Sequence, residues 1–175
     1  MNIVIRKKYP FLILIIMLGC IFLAKIWGVI INITPSMREG IYIRTYGEIK
    51  RGDIVAACLK DPYKTIGLKQ LYIEKGSKCS GADPIVKKII AIPGDNVRLT
   101  DKYIQVNNTI LSFPTVTKDS VGRGLNSYPR GNYLHVKGYW LIGTNSPNSW
   151  DSRYWGSVER EQILYKIKLI TEIVK

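Results

Sequence analysis

The sequence is poor in the residues that most often build active sites: it has one histidine and three cysteines in 175 residues. A single histidine, His135, with scattered carboxylates cannot supply the three or four ligands of a metal centre, so none is expected. A Ser–His–Asp triad would have to use His135, which lies in the strand-like stretch Tyr133-Leu134-His135-Val136, where a structural role is the ordinary one. Zinc-ligand spacing, a Gly-Lys-Ser/Thr phosphate loop and an arginine-rich run are all missing, which leaves a nucleic-acid reading without support. The net charge of +13 is therefore read as solvated charge on a membrane-associated domain. Internal repeats and low-complexity segments are absent, and helical periodicity is scarce after residue 34.

What is present begins with an apolar run. After Arg6, Lys7 and Lys8, residues 11–33 are almost wholly apolar, broken by Lys25 and Asn32. About 20 helical residues cross a bilayer core, so this run is expected to be a transmembrane anchor, with Lys25 snorkelling to the interface beside Trp27. The domain plan that follows is a short N-terminal segment (1–10), an anchor (11–33) and one modest domain (34–175). Basic residues flank both ends of the run, with Arg38, Arg44, Lys50 and Arg51 on the far side, so charge alone leaves its orientation open. A cleaved signal peptide fits poorly because the apolar core is too long. Met17-Leu18-Gly19-Cys20 resembles an imperfect lipoprotein box, but the apolar run continues well past Cys20.

The body is rich in tyrosine, tryptophan and β-branched residues and is expected to be mainly β. Short strands are expected at 41–44, 54–59, 84–91, 97–99, 103–106, 110–113, 139–143 and 163–174. Turns are marked by Arg51-Gly52-Asp53, Pro93-Gly94-Asp95 and Asn107-Asn108. Residues 112–132, rich in Gly, Pro and Ser, read as a long surface loop. Cys58 and Cys79 would be free thiols in a cytosolic protein. In an oxidising compartment they could close a loop of about twenty residues.

With histidine set aside, a hydroxyl nucleophile needs another base, and a lysine serves when burial disfavours its ammonium form. On a strand, Ile85, Lys87, Ile89 and Ala91 share one face, which puts Lys87 in an apolar row and turns Lys88 to the opposite side. Ser36, in Thr34-Pro35-Ser36 just beyond the apolar run, is placed where it could reach a bond on another membrane-anchored chain. Taken singly, the ordinary readings are a strand-edge lysine and a polar turn serine.

Three ordered blocks change that weighting. They are Thr34-Pro35-Ser36-Met37, then Val86-Lys87-Lys88-Ile89-Ile90-Ala91-Ile92-Pro93-Gly94-Asp95, then Gly143–Gly156 with Ser149-Trp150-Asp151-Ser152-Arg153 at its centre. In this order after an N-terminal apolar segment, they resemble the boxes of bacterial type I signal peptidases. The resemblance implies a signal-peptidase-like β catalytic domain, with Ser36 as nucleophile and Lys87 as general base. It also implies an oxyanion role for the Thr34 hydroxyl, a lysine-orienting role for Ser149 and a supporting role for Asp151 and Arg153. No metal or organic cofactor is implied. Two departures, Arg38-Glu39-Gly40-Ile41-Tyr42 after the serine and Gly143-Thr144-Asn145 opening the third block, look closer to the TraF-type peptidases of conjugative transfer. Members of that branch process a pilin precursor, and some join its ends.

By the same resemblance the N-terminus is cytoplasmic, the body is periplasmic, and a Cys58–Cys79 disulfide is expected. The implied partners are a pilin or other membrane-anchored preprotein, the cytoplasmic membrane and the transfer apparatus, with no nucleic acid. The competing readings are a general leader peptidase and, from another class, a non-enzymatic pilus-assembly or envelope-scaffold protein.

Overall fold

The computed structural model describes residues 4–173, and the side chains of that range except at residues 4–9, 20, 21, 24 and 25. The side chains of Arg6, Lys7, Lys8, Cys20 and Lys25, on which the anchor and lipidation readings drew, lie outside the described residues. Helix α1 spans Val4–Ile26, and its described apolar side chains, Phe11 to Leu18, Phe22, Leu23 and Ile26, are exposed. Among the described residues no helix is long and apolar enough to cross a membrane. The apolar run expected as one span over 11–33 divides: α1 stops at Ile26, and Val29–Asn32 form strand β1. Gly28, at φ +71°, makes that corner, a conformation glycine adopts without strain.

Beyond it come β2 (Gly40–Thr45), β3 (Ile54–Ala57), helix α2 (Tyr63–Lys69), the short β4 (Lys75–Gly76) and β5 (Gly81–Ala82), and β6 (Ile85–Ala91). Then follow β7 (Val97–Leu99), β8 (Ile104–Val106), β9 (Thr109–Leu111), β10 (Gly131–Tyr133), β11 (Trp140–Ile142), helix α3 (Ser152–Trp155) and β12 (Ile163–Glu172). The chain is mainly β, as its alternation implies. Val174, at the end of the last expected strand, lies outside the described residues.

Six strands form one antiparallel sheet in the order β1-β2-β12-β3-β6-β11, and four form a second in the order β10-β7-β8-β9. Strand β6 serves both cores. Its Ile85 and Ile89 enter the first, with Val55, Leu141, Tyr154 and Trp155, while Ile90 and Ala91 enter the second, with Val97, Ile104 and Trp140. Lys87 therefore lies on the Ile85/Ile89 face and is buried, whereas Lys88 is exposed.

The β3–β6 register, Val55 opposite Lys87, is set at the turns. Asp95 of Pro93-Gly94-Asp95 accepts hydrogen bonds from the Ile92 amide (2.9 Å), Arg51 (2.5 Å) and Asn107 (3.0 Å), joining three turns. Burial pushes the Asp95 carboxyl up, but these donors outweigh it and hold the group below its ordinary value. The Asn107-Asn108 hairpin between β8 and β9 has Asn107 at φ +52°, which asparagine tolerates.

Two local expectations fail. Helix α2 lies where no helix was read, because seven residues are under two turns and too few for a period to emerge. Gly67 lets it close on the core: a Cβ there would stand 2.5 Å from Ile73 and 2.8 Å from the Trp150 ring. The expected loop 112–132 also gives up its last two residues, since Gly131 and Asn132 pair with Leu99 and Arg98. Cys58 and Cys79 are joined in a disulfide.

Candidate active site

The turn after β1 carries Ser36, half-buried above the core residue Met37. It is held from two sides. From β1, the buried Asn32 carboxamide donates to Arg38 O (3.1 Å) and Thr34 O (3.2 Å). From the third block, the Asn145 amide donates to Ser36 O (3.1 Å) and its side chain to Pro35 O (3.1 Å). These contacts bring the first block against the third, over more than a hundred residues of chain. Asn32 and Asn145 were not singled out from the sequence. Asn32 read only as a polar break in an apolar run, and nothing local to either residue signals its partners.

Strand β6 delivers Lys87 to the same point: its Nζ lies 2.7 Å from Ser36 Oγ. Lys87 is only 5% exposed, and burial lowers its amine from the ordinary 10.5 to about 8. The Asp151 carboxylate pulls it back up and the Arg153 guanidinium pushes it down. An amine at about 8 is neutral in roughly a tenth of molecules at pH 7, and a neutral amine at this distance can accept a hydroxyl proton.

Asp151 and Arg153 form the frame behind the pair. Arg153 is fully buried, and its Nε and a terminal nitrogen each donate to one Asp151 oxygen at 2.8 Å. Further donation goes to Ser149 O (2.9 Å) and Pro114 O (2.5 Å), while Asp151 also accepts from the Gly143 amide (3.0 Å) and from the Arg153 amide as the N-cap of α3. Burial works against the Arg153 charge, and the Asp151 bonds more than offset that, so its acidity falls further. The fork ties Gly143, Ser149 and α3 together.

One expected contact is not formed. Ser149, expected to orient the lysine, is buried, but its Oγ has no hydrogen-bond partner among the described residues, Lys87 included. The Thr34 hydroxyl donates to Asn32 Oδ1 (2.7 Å), so its one proton is already engaged. His135 is exposed in a turn, at φ +46°, outside this cluster.

A cleft of about 330 Å³ opens onto Ser36 and Lys87, walled by Ile30–Thr34 on one side and Asp83–Lys87 on the other, with Ala56 and Tyr165 among its lining. Tyr72 also lines it, and its hydroxyl is held by Asp119 (2.7 Å) of the 112–130 loop. Desolvation pushes the Asp119 carboxyl up, but bonds from Tyr72 and Arg123 hold it well below the carboxylate range.

Residues 4–171 match the family described as signal peptidase, peptidase S26. The plasmid transfer protein TraF of Escherichia coli is 29% identical over 161 residues, covering 88% of this chain and 87% of its own. The conjugal transfer protein TraF of Agrobacterium fabrum is 22% identical, covering 86% of each chain. Signal peptidase IB of Staphylococcus aureus is 28% identical over 149 residues, covering 73% of this chain and 78% of its own. With the match running through all three blocks and the buried frame that joins them, the chain belongs to the signal peptidase family S26 and is a serine peptidase.

Proposed function

We propose that Ser36 and Lys87 are the catalytic dyad of a membrane-anchored endopeptidase that processes a conjugative pilin precursor by acyl transfer. The observation that carries the dyad is the 2.7 Å contact between a buried amine, lowered to about 8, and the Ser36 hydroxyl. Neutral Lys87 takes the Ser36 proton as Oγ bonds to the scissile carbonyl carbon. The C–N bond then breaks, Lys87 returns the proton to the leaving amine, and an acyl-enzyme remains. Water, or the substrate's own amine in a cyclising reaction, attacks that ester as Lys87 takes its proton; the acyl carbon–Oγ bond then breaks and Lys87 returns the proton to Ser36 Oγ, which frees the product and restores the enzyme. The Ser36 amide and the Thr34 hydroxyl are the oxyanion donors in this reading, the hydroxyl turning away from Asn32 as the charge develops. Ser149 orients the Lys87 amine once substrate is bound. An extended substrate lies along the cleft beside β1 or the start of β6, where residues 85–87 have β3 on one side and no β11 partner on the other.

The pilin assignment rests on the likeness to the two transfer proteins over most of the chain. The anchor rests on α1, whose described apolar side chains between Phe11 and Ile26 are exposed. The Cys58–Cys79 disulfide supports a periplasmic body and a cytoplasmic N-terminus. A general leader-peptidase role is the second reading, favoured by the likeness to signal peptidase IB.

The test is cleavage of a prepilin by the full chain in detergent, followed by intact mass spectrometry. Ser36→Ala and Lys87→Ala are each expected to stop cleavage while remaining folded. Wild-type cleavage by either variant refutes the dyad, and restoration of bulk secretory processing in place of pilin cleavage refutes the pilin assignment.

A further inference from the structure

Asn32 ends β1 and is 5% exposed, between two isoleucines, Ile31 and Ile33, that are largely exposed. An inward asparagine at the end of an edge strand is costly unless its amide is satisfied, and here both ends of it are. Its nitrogen faces three carbonyl oxygens: Arg38 O at 3.1 Å, Thr34 O at 3.2 Å and Met37 O at 3.5 Å. Its oxygen accepts from the Thr34 hydroxyl at 2.7 Å and the Thr34 amide at 3.3 Å. Donors meet acceptors throughout, which fixes the orientation of the amide. One side chain therefore grips the chain two residues before Ser36 and one and two residues after it. The grip on the other side comes from Asn145, at Pro35 O and Ser36 O.

We infer that Asn32 is a positioning residue for the reaction: by spanning the turn it sets Ser36 Oγ against Lys87. This rests on the Ser36–Lys87 dyad. The turn is also held by Asn145 at Pro35 O and Ser36 O, by the Tyr42 hydroxyl on Arg38 O (2.7 Å) and by the buried Met37 side chain; among the described residues Asn32 is the one side chain that grips it both before and after Ser36. A displacement of about 1 Å at the nucleophile costs on the order of a hundredfold in rate. The effect of losing Asn32 accordingly falls on acylation rather than on substrate capture. It also runs through Thr34, so removing the Thr34 hydroxyl makes part of the loss redundant.

The experiment compares wild type, Asn32→Ala, Asn32→Ser, Thr34→Val and the Asn32→Ala/Thr34→Val double variant as full chains in detergent. Each is assayed at a temperature where circular dichroism shows it fully folded. Readouts are kcat and KM on a pilin-derived peptide and the rate of labelling by a serine-directed acylating probe. Asn32→Ala is expected to lower kcat and labelling together by about ten- to a hundredfold, with KM within about twofold. The double variant is expected to lose less than the product of the two single losses. A raised KM with kcat intact would make Asn32 a substrate contact and overturn the inference, as would unchanged kinetics once the variant is folded. Should Asn32→Ala not fold at any temperature, Asn32→Ser, Thr34→Val and the Asn32→Ser/Thr34→Val double variant carry the comparison, and strictly multiplicative losses overturn the inference. If wild-type Ser36 is not labelled at all, the dyad itself falls. Labelled wild type with a fully active Asn32→Ala removes only the positioning role.

Discussion

Replacing Lys87 by methionine separates what the amine does for chemistry from what it costs the fold. Methionine keeps the length of the chain and fills the same apolar slot between Ile85 and Ile89. Holding an amine at about 8 rather than 10.5 costs the folded state about 3 kcal/mol at pH 7, at ~1.4 kcal/mol per tenfold change in the equilibrium. Methionine removes that cost and forfeits the bond to Ser36 Oγ, worth about 1 kcal/mol. The net expectation is a variant about 2 kcal/mol more stable at pH 7, which for a chain of this size raises Tm by roughly 4–8 °C.

The sign with pH follows from the direction of the shift. The folded-state value lies below the unfolded one, so between about 8 and 10.5 the unfolded chain binds the extra proton and wild-type stability rises with pH across that window. The advantage of Lys87→Met should therefore be full below about pH 8 and shrink to nothing, or reverse, by about pH 10.5. The assay is thermal unfolding of both full chains in detergent, followed by circular dichroism every half pH unit from 7 to 11. Differencing the two curves cancels the tyrosines and every other shared group. A Met variant that is less stable at pH 7, or a difference that stays flat across the window, would refute the claim that burial holds this amine down. Cleavage should be absent at every pH.

Three further outcomes are expected. The kcat/KM profile of the wild type should rise with pH to a midpoint near 8, because only the neutral amine is a base; a rise centred near 10 or near 6 would point to another group. Gly143→Ala should abolish serine labelling while leaving the fold recognisable by circular dichroism, since a Cβ there would stand 2.0 Å from Ser149 Oγ and 2.8 Å from Ser36 O; normal labelling would show that this wall yields. Replacing Cys58 and Cys79 together by alanine should lower stability by about 3 kcal/mol, read as the denaturation midpoint, because the bridge closes a separation of 21 residues; an unchanged midpoint would show that the bridge adds nothing.

The strand pattern was readable because a β-strand writes its burial into a period of two. Ile85, Lys87 and Ile89 share a face in any strand that contains them, and Lys88 cannot join them. The turns at Gly52, Gly94 and Asn107 were equally local, since each is a backbone conformation that a few residue types favour. Where local signals were weak, the reading slipped. Helix α2 was too short to show a period, and the apolar run gave no sign that Gly28 would end the helix and start a strand.

By itself, then, the chain's residue order determined a mainly β body, an apolar N-terminal run and the face on which Lys87 lies. Tertiary structure alone decided which distant groups meet. Ser36 and Lys87 are 51 residues apart, and their 2.7 Å contact exists because β1 and β6 both border the same cleft. The same is true of Asn32 and Asn145, ordinary asparagines until the fold places backbone carbonyls of the Ser36 turn within their reach. A hydrogen-bond partner or a lowered amine is a property of surroundings, and those surroundings are assembled from strands far apart in the chain.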